Sequence, residues 1–356
     1  MADALLIFST PELQLAVCTA SKLAQEAAGR HGLAPGSAAA LGQALAGTLL
    51  LAGTDRAAAA QARVDVQLEC GGPLRGLLVD ADGSGAVRGL VRVNELSRSG
   101  ARVEASGRAT LEEASGRATL EEASGRLTLD EASGAETLAS GTSFASLAGG
   151  LERFDARPLL STGQDEKAGL LSILRAVPDH EAPHRATYPF AGADLGAALT
   201  LYLRNERAHG GELACEVLFR PSDPLASVAS VLVWGATEEH GATARPLGQS
   251  LRQGALVQAM LAAEDEGRNA HALAQELSRA LSLGPLRLDS EIRPRFSCRC
   301  SRERLVRALG TLGAAELQDM AARDRGASAT CDFCMAIWRI SAAELLELAG
   351  EGTPRA

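Results

Sequence analysis

The sequence predicts an α+β protein in three parts: an N-terminal mixed α/β core with antiparallel sheets, a helical linker, and a small C-terminal module. Three observations carry this. Period-two apolar patterning broken by tight turns dominates the stretch from Val64 to Val93. An Ala/Gln/Glu-rich helical segment covers about 235–282. Four of the seven cysteines then fall close together near the C-terminus. At 356 residues, 46% hydrophobic but only 3% aromatic, the chain is long enough for one large domain and one or two smaller ones, packed mainly by Ala and Leu.

In chain order, 13–18 reads as a strand and 19–30 as a helix with Leu23, Ala24, Ala27 and Ala28 on one face. Pro35-Gly36-Ser37 breaks the chain, and Ser37 is placed to cap a second, very apolar helix running to about Ala52. Val64, Val66 and Leu68 then alternate with polar residues, and Gly71-Gly72-Pro73 makes a turn. Strands over 74–79 and 86–93 flank a turn-rich connection from Asp80 to Gly85, the pattern of a β-hairpin.

A nonapeptide beginning at Ala105 recurs at Ala114 and, altered, at Ala123, and a fourth copy starts at Ala132. It reads either as short added strands or as a duplicated surface loop of low hydrophobicity. These repeats are expected to lie within an insertion over 95–150. Beyond Leu151, 170–176 and 213–220 read as strands, 195–203 as strand or helix, and 228–234 as a further apolar run. Leu273, Leu277 and Leu281 recur every fourth residue, a narrow stripe that gives modest packing and suggests a helix that can be released. Gly284-Pro285 punctuates before a short strand.

The formal net charge of −9 is a poor balance for a dedicated nucleic-acid binder. The N-terminus lacks the basic region of a signal peptide. The most apolar stretch, 38–52, contains Gln43 and is expected to be too short to span a bilayer. The expectation is therefore a cytoplasmic protein with no membrane or nucleic-acid partner. In that compartment, closely spaced cysteines are metal ligands or redox sensors more often than permanent disulfides. Cys18, Cys70 and Cys215 lie alone and are expected to be buried and inert.

Cys298, Cys300, Cys331 and Cys334 form the pattern C-x-C-x30-C-x-x-C. Thiolates grouped in this way bind Zn²⁺ tetrahedrally, so the C-terminal part is expected to be a zinc-binding domain with one Zn²⁺. Ser301 is placed to cap a helix carrying Leu305, Ala308 and Leu309, and Gly310 and Gly313 break it. A further helical turn follows over 316–322, then a knuckle at Cys331–Cys334, a small strand at Trp338 and Ile340, and a last helix opened by a Ser341/Glu344 capping box. So few apolar residues need the metal to fold, and structural zinc contributes about 10–16 kcal/mol in small peptides. Spacing alone leaves open a plain zinc staple or a redox switch, since the same thiolates are the form that peroxide or hypochlorous acid attacks.

Enzyme and nucleic-acid readings are disfavoured on chemistry. Four cysteines close the shell that a catalytic zinc keeps open. His31, His180, His184, His209, His240 and His271 are scattered, and His180/His184 lack the glutamate of H-E-x-x-H; solvated loop positions are expected for them. Between Cys298 and Ile340 there are seven arginines and five acidic residues, nearly cancelled by a zinc tetrathiolate, and Phe333 and Trp338 are expected in the module's small core rather than stacked on bases.

The run from Cys298 to Arg304, then Ala308 to Gly310, Leu312-Gly313 and Thr330 to Cys334, resembles the thirty-three-kilodalton heat-shock protein family of redox-regulated holdase chaperones. Arg30-His31, Leu41-Gly42, Gly72-Pro73-Leu74 and the segment from Gly85 to Leu90 resemble its N-terminal domain. The resemblance covers nearly the whole chain outside about 97–150. It implies that the reduced chain holds Zn²⁺ on Cys298, Cys300, Cys331 and Cys334 and is inactive. It also implies that oxidation releases the zinc, pairs Cys298 with Cys300 and Cys331 with Cys334, and unfolds a linker. The chain would then form a homodimer and bind unfolding client proteins without ATP. The implied parts are a substrate-binding and dimerisation domain over 1–234, a metastable helical linker over 235–295, and a redox-switch domain over 296–356. Two features depart from the family pattern: the repeats, and the segment from Leu201 to Arg207 where an aromatic-rich stretch is usual.

Overall fold

The computed structural model describes residues 3–54, 62–94, 144–147, 150–160, 169–178, 182–190, 194–220, 223–265 and 269–351. The nonapeptide repeats and His180 lie outside them. The chain opens with β1 (Ala4–Ser9), β2 (Leu13–Thr19), α1 (Ser21–His31) and α2 (Pro35–Gly53), followed by β3 (Arg63–Glu69), β4 (Gly76–Asp82) and β5 (Ala86–Val91). After them come β6 (Phe144–Ser146), β7 (Glu152–Phe154), α3 (Arg157–Leu160), β8 (Gly169–Ala176), β9 (His184–Phe190), α4 (Leu195–Glu206), β10 (Glu212–Arg220) and β11 (Asp223–Gly235). A helical stretch follows: α5 (Gly241–Ser250), a π-turn (Leu251–Ala255), α6 (Leu256–Asp265) and α7 (Ala270–Leu281). The rest is β12 (Arg287–Ile292), β13 (Arg295–Phe296), α8 (Arg302–Leu309), α9 (Ala314–Arg323), β14 (Gly326–Thr330), β15 (Ile337–Ser341) and α10 (Ala342–Glu351).

Two sheets dominate, a seven-stranded one ordered β12-β1-β2-β11-β10-β7-β6 and a six-stranded one ordered β13-β5-β4-β3-β8-β9. Their pairings are antiparallel except for β13 beside β5. The fold class is thus α+β. Between the sheets runs α2, buried from Gly36 to Ala52. A helix apolar on every side has to be enclosed in this way. Its polar side chains are answered internally: Thr48 Oγ1 donates to Ala44 O at 2.7 Å and Gln43 Nε2 to Cys215 O at 3.3 Å. At 19 residues with a mean hydropathy of 1.3, α2 has the length and composition of a membrane span, which corrects the expectation that this stretch is too short. It is 94% buried between the sheets and serves as the core helix.

Strand alternation divides the packing into two cores. In β2, Ala16 and Cys18 face α2, whereas Leu13, Leu15 and Val17 face the opposite side. Onto that opposite side pack the helices of 241–281, through Leu251, Leu256, Met260, Leu273 and Leu277. Here the apolar face of α7 is wider than its three leucines, because Ala270, Ala272 and Ala274 are buried too. The layers therefore run helices, seven-stranded sheet, α2 with α1 and α4, six-stranded sheet.

Several local expectations need correcting. Ser37 does not cap α2; Pro35 occupies the first turn after Ala34, and Ser37 is buried inside the helix. The ambiguous 195–203 is helical, capped by Asp194, which accepts from Ala197 N at 2.7 Å. The strand expected at 74–79 starts at Gly76, because Arg75 takes a left-handed φ of 59°. β1 and β9 were not anticipated. β1 is a continuous apolar run without alternation, and β9 is a polar edge strand carrying Pro189.

Candidate metal centre

After β12 returns to pair with β1, β13 lies along β5, and Ser297 N donates to Val87 O at 2.9 Å. This pairing delivers Cys298 and Cys300 to the edge of the six-stranded sheet. Ser301 then caps α8 by accepting from Arg304 N at 3.3 Å. The other two cysteines sit in the turn of the β14–β15 hairpin. Cys331 N donates to Ala336 O at 2.9 Å, Met335 N to Cys331 O at 2.8 Å, and Met335 adopts a left-handed φ of 58° that closes the knuckle.

The four sulfurs converge to within 4.8 Å of one another. Cys298 Sγ lies 3.6 Å from Cys331 Sγ, and Cys300 Sγ 3.3 Å from Cys334 Sγ. An ion about 2.3 Å from each of four tetrahedral sulfurs would set them about 3.8 Å apart, so the cluster fits one metal ion of zinc size. All seven cysteines are free thiols, and both of these close contacts join sulfurs of opposite pairs.

Backbone amides support the sulfurs. Cys300 N–H points at Cys298 Sγ, those of Phe333 and Cys334 at Cys331 Sγ, and that of Ala336 at Cys334 Sγ. Burial alone would push the Cys298 thiol up, but the Cys300 amide and Arg88 bring it down to about 7. Burial pushes the Cys331 thiol up, and the Cys334 thiol, crowded by its sulfur neighbours, also up. Cys298 is thus drawn toward the thiolate form, and a bound cation would favour that form at any sulfur that ligates it. A cleft of about 310 Å³ opens beside Cys300 and Cys331, lined also by Arg88, Arg304 and Trp338.

Residues from the N-terminal core complete the surroundings. Arg88 of β5 places Nη1 3.7 Å from Cys298 Sγ, Nε 2.9 Å from Asp80 Oδ2, and its guanidinium 4.1 Å above the Phe333 ring. Arg299 also reaches Asp80. His31 Nε2 donates to Phe333 O at 2.9 Å, the only sense a carbonyl allows, and burial lowers its pKa. Sequence reasoning missed Arg88, Asp80 and His31 as neighbours of the cysteines. The signal was present, since Arg30-His31 and the segment around Arg88 carry part of the family resemblance.

The described histidines are dispersed, but three are not at the loop positions expected: His31 ends α1, His184 opens β9 and His271 lies in α7. His31 is half-buried at this contact, and His271 packs edge-on against Phe8 with ring centroids 6.3 Å apart. His184 lies in β9, 3.4 Å from Glu206, and His240 bonds Thr237. Phe333 sits under Arg88 and Trp338 lines the cleft. The module's own core consists instead of Leu309, Leu317, Ala321, Ile340, Leu345 and Ala349. Of the isolated thiols, Cys18 and Cys70 are buried and Cys215 partly so.

Fold and site together define an α+β protein whose C-terminal module gathers four thiols able to hold one metal ion. A model of the family described as Hsp33 protein matches residues 4–341, and the chain belongs to that family, one of chaperones rather than an enzyme class. It is 28% identical over 341 residues to the 33 kDa chaperonin of Nostoc punctiforme, covering 92% of this chain and 89% of that one. The 33 kDa chaperonin of Synechocystis sp. is 28% identical over 344 residues, with 93% and 90% covered. Among solved structures, the 33 kDa chaperonin (heat shock protein 33 homolog) of Thermotoga maritima matches with a TM-score of 0.62 over 99% of both chains; at 17% identity this speaks to the fold.

Proposed function

We propose that this chain is a redox-regulated, ATP-independent holdase of the cytoplasm. In the reduced state Cys298, Cys300, Cys331 and Cys334 would hold one Zn²⁺ per chain, which supplies the positive charge that keeps all four sulfurs as thiolates. Peroxide or hypochlorous acid entering by the cleft takes two electrons from each thiolate pair. With peroxide and two protons, each disulfide is accompanied by two waters, and the metal ligands are lost. The pairs are Cys298–Cys300 and Cys331–Cys334, each a chain neighbour pair that can close once the cluster opens.

The consequence for binding lies in the layer order. With the module unfolded, β12 and β13 lose their anchor, and the helical linker of 235–295 can lift from the seven-stranded sheet. That would bare Leu6, Phe8, Leu13, Leu15, Val17 and Val231, an apolar surface on which unfolding clients and a second copy of the chain can settle. The observation that carries the reading is the convergence of four free thiols, one with its pKa brought down to about 7, at the end of the segment that covers this face.

The test is suppression of thermal aggregation of a client, with metal release followed in the same samples before and after oxidation. Release of about one zinc per chain with suppression that dithiothreitol reverses is the expected result. Metal that stays bound, or leaves without any gain in client binding, would reduce the cysteines to a structural staple in a constitutive interaction scaffold.

A further inference from the structure

The contact between the C-terminal module and the core is polar, whereas each part is held internally by its own apolar cluster. The six buried residues of the module's core include none from the N-terminal part, and the core between the sheets extends along the chain no further than Phe296. What joins them is polar: His31 Nε2 donates to Phe333 O, and the other contacts centre on charge. Arg88, with a side chain 17% exposed, touches a sulfur of the cluster, the aromatic ring between Cys331 and Cys334, and a buried carboxylate of the sheet at once. That carboxylate, Asp80, is already shared with Arg63 and Arg299. Three guanidinium groups thus surround one buried aspartate, with the Asp65 carboxyl beside it, and the Cys298 sulfur is the acidic group that Arg88 meets on the side of the C-terminal module. A half-buried guanidinium left short of anions is destabilising, because its lost hydration is no longer replaced.

We propose that Arg88 is a charge latch that holds the C-terminal module on the six-stranded sheet only while the sulfurs are thiolates. This deepens the proposed redox reading and rests on it. A divalent ion on four thiolates leaves two net negative charges beside Arg88. Oxidation of each thiolate pair by a peroxide, with two electrons passing to the oxidant and two protons completing two waters, leaves a neutral disulfide. The attraction at Cys298 Sγ then disappears, three guanidinium groups crowd Asp80, and the stacking of Arg88 on Phe333 has no anchored partner. The dock loosens as a direct result of the charge change, so the redox state of the sulfurs is transmitted to the sheet through one side chain.

The experiment follows amide exchange by mass spectrometry in the full chain, reduced with metal and peroxide-oxidised, over 86–91 and 297–309, and metal release with a chromogenic chelator. In reduced Arg88→Ala, exchange at both segments should be about tenfold faster, approaching oxidised wild type. Metal content should be retained and release by peroxide accelerated. Arg88→Lys, which keeps the charge but not the three-way geometry, should fall between. In reduced wild type, protection of the dock should decline with added salt, a response that simple packing would not show. Should Arg88→Ala not fold, the Lys variant and the salt series decide alone. Dock protection that survives oxidation, or is indifferent to both substitution and salt, overturns the latch. If oxidised wild type still gains client binding in that case, the proposed function stands without the latch; if oxidised wild type binds no client, the functional reading fails whatever Arg88 does.

Discussion

Arg88 and Cys298 stand 210 residues apart in the chain, yet Arg88 Nη1 lies 3.7 Å from Cys298 Sγ. The parallel pairing of β13 with β5 makes this meeting possible. It sets Phe296 opposite Val87 and so places the first cysteine one step beyond Arg88's own strand position. The four-thiol cluster thereby borders a surface of the core, and its charge can be felt there.

The thiols should differ in reactivity once the metal is removed. In reduced, chelator-treated protein at pH 7, Cys298 should be alkylated first, since its pKa is brought down to about 7. Cys215, pushed up to about 12 by burial, and fully buried Cys18 should react last. Peptide mapping after brief iodoacetamide treatment gives the order directly. Early labelling of Cys18 would mean that the core opens far more readily than its packing implies.

Arg252 should be a restraint on the helical layer. Its Nη2 is 2.9 Å from Glu212 Oε2, and its Nη1 is 3.3 Å from both Thr200 Oγ1 and Leu213 O. Glu212 is only 1% exposed, so removing one of its two arginine partners leaves a poorly compensated buried charge, a loss of about 3 kcal/mol. Arg252→Ala is expected to lower the denaturant midpoint and to give partial client binding in the reduced state. A destabilised variant with no reduced-state binding would show that the helices do not cover the client surface.

Asp65 should make stability fall as pH rises. Its carboxyl is pushed up to about 6 by burial and by neighbouring Asp80, against the pull of Arg63 and Arg88. The folded chain thus keeps a proton that an unfolded Asp releases near about pH 3.9. The contribution of Asp65 is therefore most favourable below about pH 4 and is lost as pH rises through about 6. Asp65→Asn should be the more stable protein at pH 8, by about 1 kcal/mol after allowing for solvent screening on this half-open face. The difference should close toward about pH 4 in parallel urea titrations. A variant less stable than wild type at pH 8 would show that the arginine pairs outweigh the desolvation.

Gly47→Ala tests the close approach of α2 to its neighbours. An added Cβ would lie 2.9 Å from Leu199 Cδ1 and 3.2 Å from Cys215 Sγ. Overpacking of this kind costs about 1–3 kcal/mol, so the thermal midpoint should drop by several degrees. An unchanged midpoint would mean that Leu199 can swing aside.

Much of the fold is legible in local pattern. Alternation at Val64, Val66 and Leu68 marks β3, and the Ser341/Glu344 capping box appears as expected, with Ser341 N donating to Glu344 Oε2 at 2.8 Å. What escaped notice depends on distant partners. The pairing of the short strand expected after Gly284-Pro285 is one case: β12 is mostly exposed and polar, and it is held by the edge of β1, 280 residues away, as Ser9 and Asp289 illustrate. The breadth of the α7 face was hidden because alanine carries little hydrophobic signal by itself, yet Ala270, Ala272 and Ala274 are buried in the cluster on the seven-stranded sheet.

By itself, the sequence determined that four cysteines in two short-range pairs could serve one metal ion, because ligand type and spacing are local properties of the chain. It also determined the family, through motifs that survive as strings of residues. Only the tertiary structure decided that sulfurs of opposite pairs meet, which thiol is brought down to about 7, and that Arg88, Asp80 and His31 border the cluster. These depend on distances between elements brought together by strand pairing, and electrostatic effects fall off with distance in space, whatever the separation along the chain.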